Sequence, residues 1–222
     1  MALTAPYTHE IFFRIVPDWL SSQFARLPKD PYLPQGYRFR RLSRFKIEAG
    51  EYQRFPHGPY TQDAKRGINT LMGNVERTFE EIEQDALELP ELRAMLNRFL
   101  AAAAIATSFV FLNVHFIRNV CTKTQIGYPA PEGVHRDGFD IVGILCVAQE
   151  HAVGAMTELF LWDDKPPVFA GRLHPGGLLL LDDSKLLHYT SPIEVEDAEF
   201  GFRDTVILTA NLQDTRSEAH GS

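Results

Sequence analysis

The sequence predicts a mainly β chain of the α+β class, an antiparallel sandwich or barrel with supporting N-terminal helices. Two observations lead to this prediction. Short apolar runs of strand-like composition recur through the second half of the chain, and glycine or proline separates them at short intervals. The first half contains stretches with helical periodicity, so we expect helices that support the sheet.

The N-terminal half, about residues 1–107, is predicted to be helical and irregular. Pro17 followed by Asp18 favours a helix over residues 18–26. Residues 74–85 and 90–104 have helical periodicity, and the proline at position 90 suits a first helical turn. Alternation over residues 38–47 predicts a strand.

The second half, about residues 108–212, is predicted to form the β core. Its predicted strands cover residues 108–118, 141–148, 158–162, 168–173, 178–181, 187–193 and 205–212. The polar residues 213–222 are predicted to be a frayed tail. A chain of 222 residues with 45% hydrophobic residues can bury a sizeable core. We therefore expect residues 1–222 to form a single domain.

Composition and charge narrow the class of protein. The formal net charge of −7 and the absence of a basic block argue against a nucleic-acid or anionic-membrane surface. No apolar run approaches the roughly 20 residues that span a bilayer, and the N-terminus lacks a signal-peptide pattern. Cys121 and Cys146 lie in apolar stretches without CxxC spacing, which predicts reduced core residues in a cytoplasmic protein. The oligomeric state stays open.

The most informative motif is a pair of metal-ligand residues at strand spacing. In an extended chain, His135 and Asp137 lie on the same face, close enough to share one cation. A third ligand, His188, follows the apolar run 178–181, and we expect it at the end of a buried strand. Two imidazoles and one carboxylate on one face of an octahedral ion form the facial triad of non-haem Fe(II) oxygenases.

A candidate anion site follows the third ligand. Arg203 and Thr205 again have period-two spacing, so their side chains can point the same way and grip a carboxylate together. An arginine held inside a sheet needs an anion.

These residues resemble a known family. His135-x-Asp137 with His188 and Arg203-x-Thr205 resembles the Fe(II)/2-oxoglutarate-dependent dioxygenases. The run from Pro131 to Gly138 is similar to the group that contains bacterial L-isoleucine 4-hydroxylase and related free amino-acid hydroxylases. The resemblance covers about residues 30–212 and is specific from about 115 onward. It implies a double-stranded β-helix (jelly-roll) core with the metal ligands at one mouth.

The resemblance also implies an activity. Fe(II) would be held by His135, Asp137 and His188, while Arg203 and Thr205 hold the distal carboxylate of 2-oxoglutarate. With O2 as the second cosubstrate, an unactivated C–H bond of a free, aliphatic L-amino acid would be hydroxylated, with release of succinate and CO2. The carboxylate at position 137 argues for hydroxylation over halogenation, because a small non-ligating residue there would leave room for a halide.

Four further residues are candidates for binding the substrate. Arg118 lies on a predicted strand and either holds a substrate carboxylate or is a surface charge. Gln125 and Tyr128 precede the metal motif and either line the pocket or pack a loop. Glu132 either pairs with a substrate ammonium or orients a loop.

Two other classes of protein stay open. A cupin-type metalloenzyme would use the same barrel with Zn or Mn and without 2-oxoglutarate, and the Arg203-x-Thr205 pair tells against it. A non-catalytic small-molecule-binding barrel would be expected to lack one metal ligand or the arginine. Whether the amino acid is free or carrier-bound is also left open by the sequence.

Overall fold

The structure is a computed structural model that describes residues 5–55, 58–61, 75–105, 109–161 and 166–212. Two helices of the first half are short and one is long: α1 (Asp18–Ser21), α2 (Gln84–Leu87) and α3 (Pro90–Ala102). A 3-10 turn over Ser22–Arg26 continues α1. The strands of the first half are β1 (Tyr7–Ile11), β2 (Arg38–Glu48) and β3 (Glu51–Arg54).

The second half is made of strands. In chain order they are β4 (Phe109–Thr122), β5 (Ile141–Glu150), β6 (Val153–Gly154), β7 (Met156–Leu161), β8 (Phe169–Arg172), β9 (Gly177–Asp182), β10 (Leu186–Thr190), β11 (Ile193–Glu194) and β12 (Phe200–Asn211). The prediction of a mainly β chain with a jelly-roll-type antiparallel core is confirmed.

One large antiparallel sheet organises the molecule. Its seven strands follow the order β1-β9-β5-β12-β4-β2-β3. Strands β10, β7 and β8 form a second sheet, and β11 pairs with β6. The large sheet takes strands from both predicted halves, so the N-terminal half contributes to the β core as well as supporting it.

The helices cover one face of the large sheet. Leu92, Met95, Leu96 and Phe99 recur on one side of α3 and are buried against β4, β5 and β12. Phe99 comes close to the sheet at Gly143, where an added Cβ would lie 2.6 Å from the Phe99 ring. A second apolar cluster joins β5 and β9 to β7 and β10, which places the small sheet over the other face.

One predicted helix is wrong, and three strands, β1, β3 and β6, were not predicted. Residue 74 lies outside the described residues, residues 75–83 are not helical, and helix begins only at Gln84. Arg77 exchanges backbone hydrogen bonds of 3.0 and 2.7 Å with Tyr60, and the Glu80 carbonyl accepts the Leu42 N–H at 3.0 Å. These tertiary hydrogen bonds replace the i to i−4 bonds of a helix. Of these strands, β1 pairs with β9, β3 pairs with β2 and β6 pairs with β11.

The remaining predicted elements are confirmed with shifted ends. The helix predicted over 18–26 is half α-helix and half 3-10 turn. The strand predicted over 187–193 is interrupted between β10 and β11. Residue 108, the predicted start of one strand, residue 162, the predicted end of another, and the predicted tail 213–222 lie outside the described residues.

Candidate metal and cosubstrate site

A reciprocal pair of backbone hydrogen bonds joins the two histidines of the motif. The N–H of His135 donates to the carbonyl of His188 at 3.0 Å, and the N–H of His188 donates back at 2.8 Å. His188 lies in the middle of β10 instead of at a strand end, and His135 forms a single bridge beside it. Directly opposed residues place their side chains on the same face of a strand pair, so this bridge brings the two imidazoles together.

Asp137 is positioned by a buried carboxylate, Asp183. The Asp183 oxygens accept the backbone N–H groups of Asp137 at 3.2 Å, Gly138 at 2.7 Å and Phe139 at 3.0 Å. Gly138 adopts a positive φ of 85°, which turns the chain so that successive N–H groups face one carboxylate. Burial and the nearby Asp137 raise the pKa of Asp183 to about 7, against the three N–H groups that favour the ionised form.

The three predicted ligand residues converge. His135, Asp137 and His188 each offer one ligand atom, and these atoms all lie within 4.8 Å of one another. The Asp137 carboxylate lies 3.8 Å from Nε2 of His135 and 3.5 Å from Nε2 of His188. Imidazole nitrogens and a carboxylate oxygen suit divalent first-row metals, and three ligands leave coordination positions open.

The chemistry of both imidazoles fits metal binding through Nε2. Nδ1 of His135 lies 2.9 Å from the Gly133 carbonyl, which can only accept, so Nδ1 carries the proton and Nε2 keeps its lone pair. Burial and the neighbouring His135 lower the pKa of His188 well below its usual value, which leaves a neutral imidazole. Burial opposes protonation of His135, but Glu132 and Asp137 together raise its pKa. A bound cation would compete with that proton.

The predicted anion site also faces this cluster. Arg203 is 2% exposed, and within the described residues its Nε and Nη2 find no hydrogen-bond partner. Thr205 is equally buried two residues further along β12, with only a long 3.4 Å hydrogen bond to the Ile117 carbonyl. A buried guanidinium without an acid partner is unfavourable, so these residues fit the distal carboxylate of a keto diacid.

One cavity connects the ligand cluster with Arg203, and strand alternation explains its lining. Alternate residues of four neighbouring strands line it: Arg38 and Arg40 of β2; His115, Ile117 and Asn119 of β4; Arg203, Thr205, Ile207 and Thr209 of β12; Val142 and Ile144 of β5. The ligands His135, Asp137 and His188 face these strands across the cavity. The intervening residues of β4 and β12, such as Phe116 and Val206, are buried in the helix-covered core.

Of the four residues predicted to bind substrate, one lines the cavity and three do not. Glu132 lines the cavity, 3.3 Å from Nε2 of His135. Arg118 alternates along β4 with the cavity-lining residues Ile117 and Asn119, so its side chain lies on the opposite face of the strand. Both its Nε and its Nη2 donate to Asp204 at 2.7 Å, and it lies outside the cavity lining. This salt bridge replaces the predicted contact with a substrate carboxylate.

Gln125 and Tyr128 also lie outside the cavity lining. Gln125 donates to the Gln35 carbonyl at 2.5 Å, and Tyr128 is 39% exposed with its ring against Tyr37. Both residues pack the loop that leads to the metal motif. This placement corrects the pocket-lining interpretation in favour of loop packing.

Sequence reasoning missed several charged residues of the site. Asp183 directly follows β9, but that position alone does not show which backbone N–H groups it accepts. Arg38 and Arg40 alternate on the predicted strand 38–47, which was the available signal that both face one side. Asp30 and Arg77 come from irregular segments and carry no such periodic signal.

Fold and site together define a non-haem iron oxygenase, because a jelly-roll-type sheet presents two histidines and one aspartate beside a buried arginine. The chain belongs to the 2OG-Fe dioxygenase family, whose model matches residues 21–209. Fe(II), 2-oxoglutarate and O2 are therefore its metal and cosubstrates, and its substrates belong to the small molecules on which this family acts.

Solved structures agree with this assignment. A bsmA homolog from Methylobium petroleophilum PM1 is 28% identical, with a TM-score of 0.75 over 87% of this chain and 81% of that chain. IDO from Bacillus thuringiensis is 17% identical, with a TM-score of 0.73 over 94% and 91% of the two chains. The Fe(II)/(alpha)ketoglutarate-dependent dioxygenase TqaL is 17% identical, with a TM-score of 0.69 over 97% and 86%. These last two show likeness of fold.

A search of curated protein sequences gives no significant match. Among the described residues, every helix is too short or too polar to cross a membrane.

Proposed function

We propose that this protein hydroxylates an unactivated C–H bond of a free, aliphatic L-amino acid, with conversion of 2-oxoglutarate and O2 to succinate and CO2. The observation that carries the proposal is the convergence of three ligand atoms within 4.8 Å, in one cavity with a buried guanidinium that lacks an acid partner. The similarity of the run from Pro131 to Gly138 to free amino-acid hydroxylases supports the choice of substrate.

In this proposal His135, Asp137 and His188 hold Fe(II). The iron, once bound with 2-oxoglutarate, supplies the activation of O2 and the oxidising power for the C–H bond. Asp183 keeps the Asp137 loop in place through three backbone hydrogen bonds. The Gly133 carbonyl fixes the His135 tautomer in which Nε2 keeps a lone pair that would bind the metal.

Arg203 holds the distal carboxylate of 2-oxoglutarate, and Thr205 adds a hydrogen bond. Both lie on β12, whose cavity-facing residues continue with the apolar Ile207. Carboxylate binding by Nε and Nη2 would satisfy the buried donors of Arg203 in one step. This fit to a carboxylate favours an oxygenase over a cupin-type metalloenzyme that uses no 2-oxoglutarate.

The protein works, in this proposal, as a single oxygenase domain of the cytoplasm. Cys121 and Cys146 are free and buried, which suits a reducing compartment. Glu132 stays a candidate for a substrate contact because it lines the cavity.

The test is a screen for oxygen insertion. The protein, supplied with Fe(II), 2-oxoglutarate and air, is incubated with each of the twenty L-amino acids, and succinate and product mass are followed. We expect a mass gain of one oxygen, coupled to succinate, with at least one aliphatic amino acid. Asp137→Ala is the matched inactive variant, because it removes a ligand. Succinate formation without any oxygenated amino acid would refute the substrate, and absence of succinate throughout would refute the activity.

A further inference from the structure

Arg40 is a second buried guanidinium that faces the same cavity. It lies on β2, is 7% exposed and lines the cavity together with the ligand cluster. The register places Arg40 opposite Ile117 of β4, and Ile117 opposite Thr205 of β12. The backbone of Arg40 therefore lies two strands away from that of Thr205, a separation of about 10 Å.

The partners of Arg40 leave its charge uncompensated. Its Nη2 donates to Nδ1 of His115, and its guanidinium lies 4.1 Å from the centre of the Phe79 ring. Burial, and then the positive charges of Arg40 and Arg77, lower the pKa of His115 well below its usual value, so this partner is neutral. Among the described residues, no carboxylate oxygen lies within 4.0 Å of Arg40, and its Nε has no hydrogen-bond partner.

Burial of such a cation is costly, because it removes the charge from water. Burial lowers the pKa of Arg40 to about 10. An unpaired charge inside a protein is strongly destabilising, so we expect a purely structural arginine to pair with an acid or with several carbonyl acceptors. Arg38, two residues earlier on the same face, has these acceptors: Asn119 Oδ1 and the carbonyls of Tyr128 and Pro129.

A buried acid lines the same cavity without pairing with Arg40. Asp30 is 4% exposed, and its Oδ1 accepts the Tyr32 backbone N–H at 2.9 Å. Within the described residues Asp30 makes no salt bridge, although it lies near enough to Arg40 to act on its charge. The cavity thus holds a cation and an anion that stand more than 4.0 Å apart, each with capacity for an opposite charge.

We propose that Arg40 and Asp30 bind the two charged ends of a zwitterionic substrate: Arg40 receives the α-carboxylate and Asp30 the α-ammonium. This inference rests on the proposed function and deepens it, because it names the residues that recognise a free α-amino acid. A free amino acid carries both charges on one carbon, whereas a peptide-bound or carrier-bound residue has lost at least one of them. His115 orients Arg40, so it is a positioning residue.

The experiment compares ligands that lack one charge. Calorimetric titrations under anaerobic conditions, on protein loaded with Fe(II) and 2-oxoglutarate, use L-isoleucine, L-leucine, L-valine and L-methionine. Each is compared with its carboxamide, which lacks the carboxylate, and with its deaminated acid, which lacks the ammonium. We expect each analogue to bind the wild-type protein at least about tenfold more weakly, as for loss of a charge-assisted hydrogen bond.

The variants assign each preference to one residue. Arg40→Gln should no longer prefer the amino acid over its carboxamide. It should still prefer the amino acid over its deaminated acid. Asp30→Asn should show the converse. Arg41→Gln is the matched control, because Arg41 is the next residue of β2, lies outside the cavity lining and pairs with Glu80 and Glu83. Its ligand preferences should equal those of the wild type.

The outcomes separate this inference from the proposed function. If the wild-type protein binds an amino acid and its carboxamide equally well, the inference is overturned. This test needs no variant to fold. Hydroxylation of an amino acid by Arg40→Gln with unchanged KM overturns it and leaves the proposed function standing. Arg40-dependent binding of an amino acid without oxygen insertion supports the inference and refutes hydroxylation. Failure of all twenty L-amino acids to bind overturns both.

Discussion

The Asp183 carboxylate accepts the Gly138 backbone N–H at 2.7 Å and lies 3.8 Å from Nδ1 of His188. The fully buried Asp183 therefore holds the backbone of the loop that carries Asp137 and also lies beside His188 of β10. Its three backbone hydrogen bonds hold the carboxylate of Asp137 toward both imidazoles. Asp183 thus contacts the candidate metal site although it is not itself part of the ligand cluster.

Asp183→Asn should weaken Fe(II) binding by about 10- to 100-fold, the usual effect of losing a partner that orients a ligand. An amide presents one acceptor oxygen where the carboxylate presents two, so at least one N–H of the 137–139 loop loses its partner. Metal titration monitored by isothermal calorimetry measures the effect. Asp182→Asn is the control, because Asp182 bonds Ser184 and Lys185 instead of the loop. Equal iron affinity in both variants would contradict the bracing role.

Arg203→Ala should mainly weaken 2-oxoglutarate binding. Loss of a charge-assisted pair costs about 1.5–3 kcal/mol, which corresponds to a rise in Kd of roughly tenfold or more. The Kd of 2-oxoglutarate on the iron-loaded protein is the measurement. Arg118→Ala, on the neighbouring strand but paired with Asp204, should leave that Kd unchanged. Unchanged affinity in Arg203→Ala would show that another arginine holds the cosubstrate.

Protonation of His115 should oppose folding at acid pH. The folded protein keeps the pKa of His115 well below 6.5, so below pH 6.5 the unfolded chain binds a proton that the folded chain does not. The free energy of unfolding then falls as pH falls, by about 1 kcal/mol between about pH 7 and about pH 5.5 for one such group. The free energy of unfolding of His115→Gln should therefore fall by about 1 kcal/mol less than that of the wild type over this interval.

Urea unfolding of metal-free protein at both pH values provides the comparison. The exposed His174→Gln serves as the matched histidine substitution and should keep the wild-type loss. Identical losses in the wild type and in His115→Gln would exclude a buried neutral imidazole at position 115.

Gly143→Ala should destabilise the protein by about 1–3 kcal/mol, the usual cost of overpacking a core. The added methyl group would lie 2.6 Å from the Phe99 ring, which packs α3 on β5. The free energy of unfolding from urea titration measures the cost. A second substitution, Phe99→Leu, should destabilise the wild type by itself yet recover part of the loss in the Gly143→Ala background. Strict additivity of the two losses would exclude contact between them.

Period-two spacing made part of the site predictable. His135 with Asp137, and Arg203 with Thr205, each lie one strand period apart, so the sequence places both members of each pair on one face. Spacing does not state which face of β4 looks into the cavity. Arg118 was therefore an open candidate until the register paired β4 with β12 and turned it toward Asp204.

The wrong prediction of a helix over residues 74–85 has a related cause. Its apolar residues suit a helix as well as an extended segment, and the choice was made by hydrogen bonds to Tyr60 and Leu42, which are distant in sequence. Local propensity cannot include partners that only the folded chain brings near.

The sequence by itself determined the mainly β class, the three candidate ligand residues and the Arg203–Thr205 pair on β12, because residue type and strand periodicity are local properties. Only the tertiary structure decided that Asp183 braces the metal loop and that Arg40 and Asp30 share the cavity with Arg203. Those relationships depend on strand register and on burial, and both arise when segments far apart in the chain pack against one another.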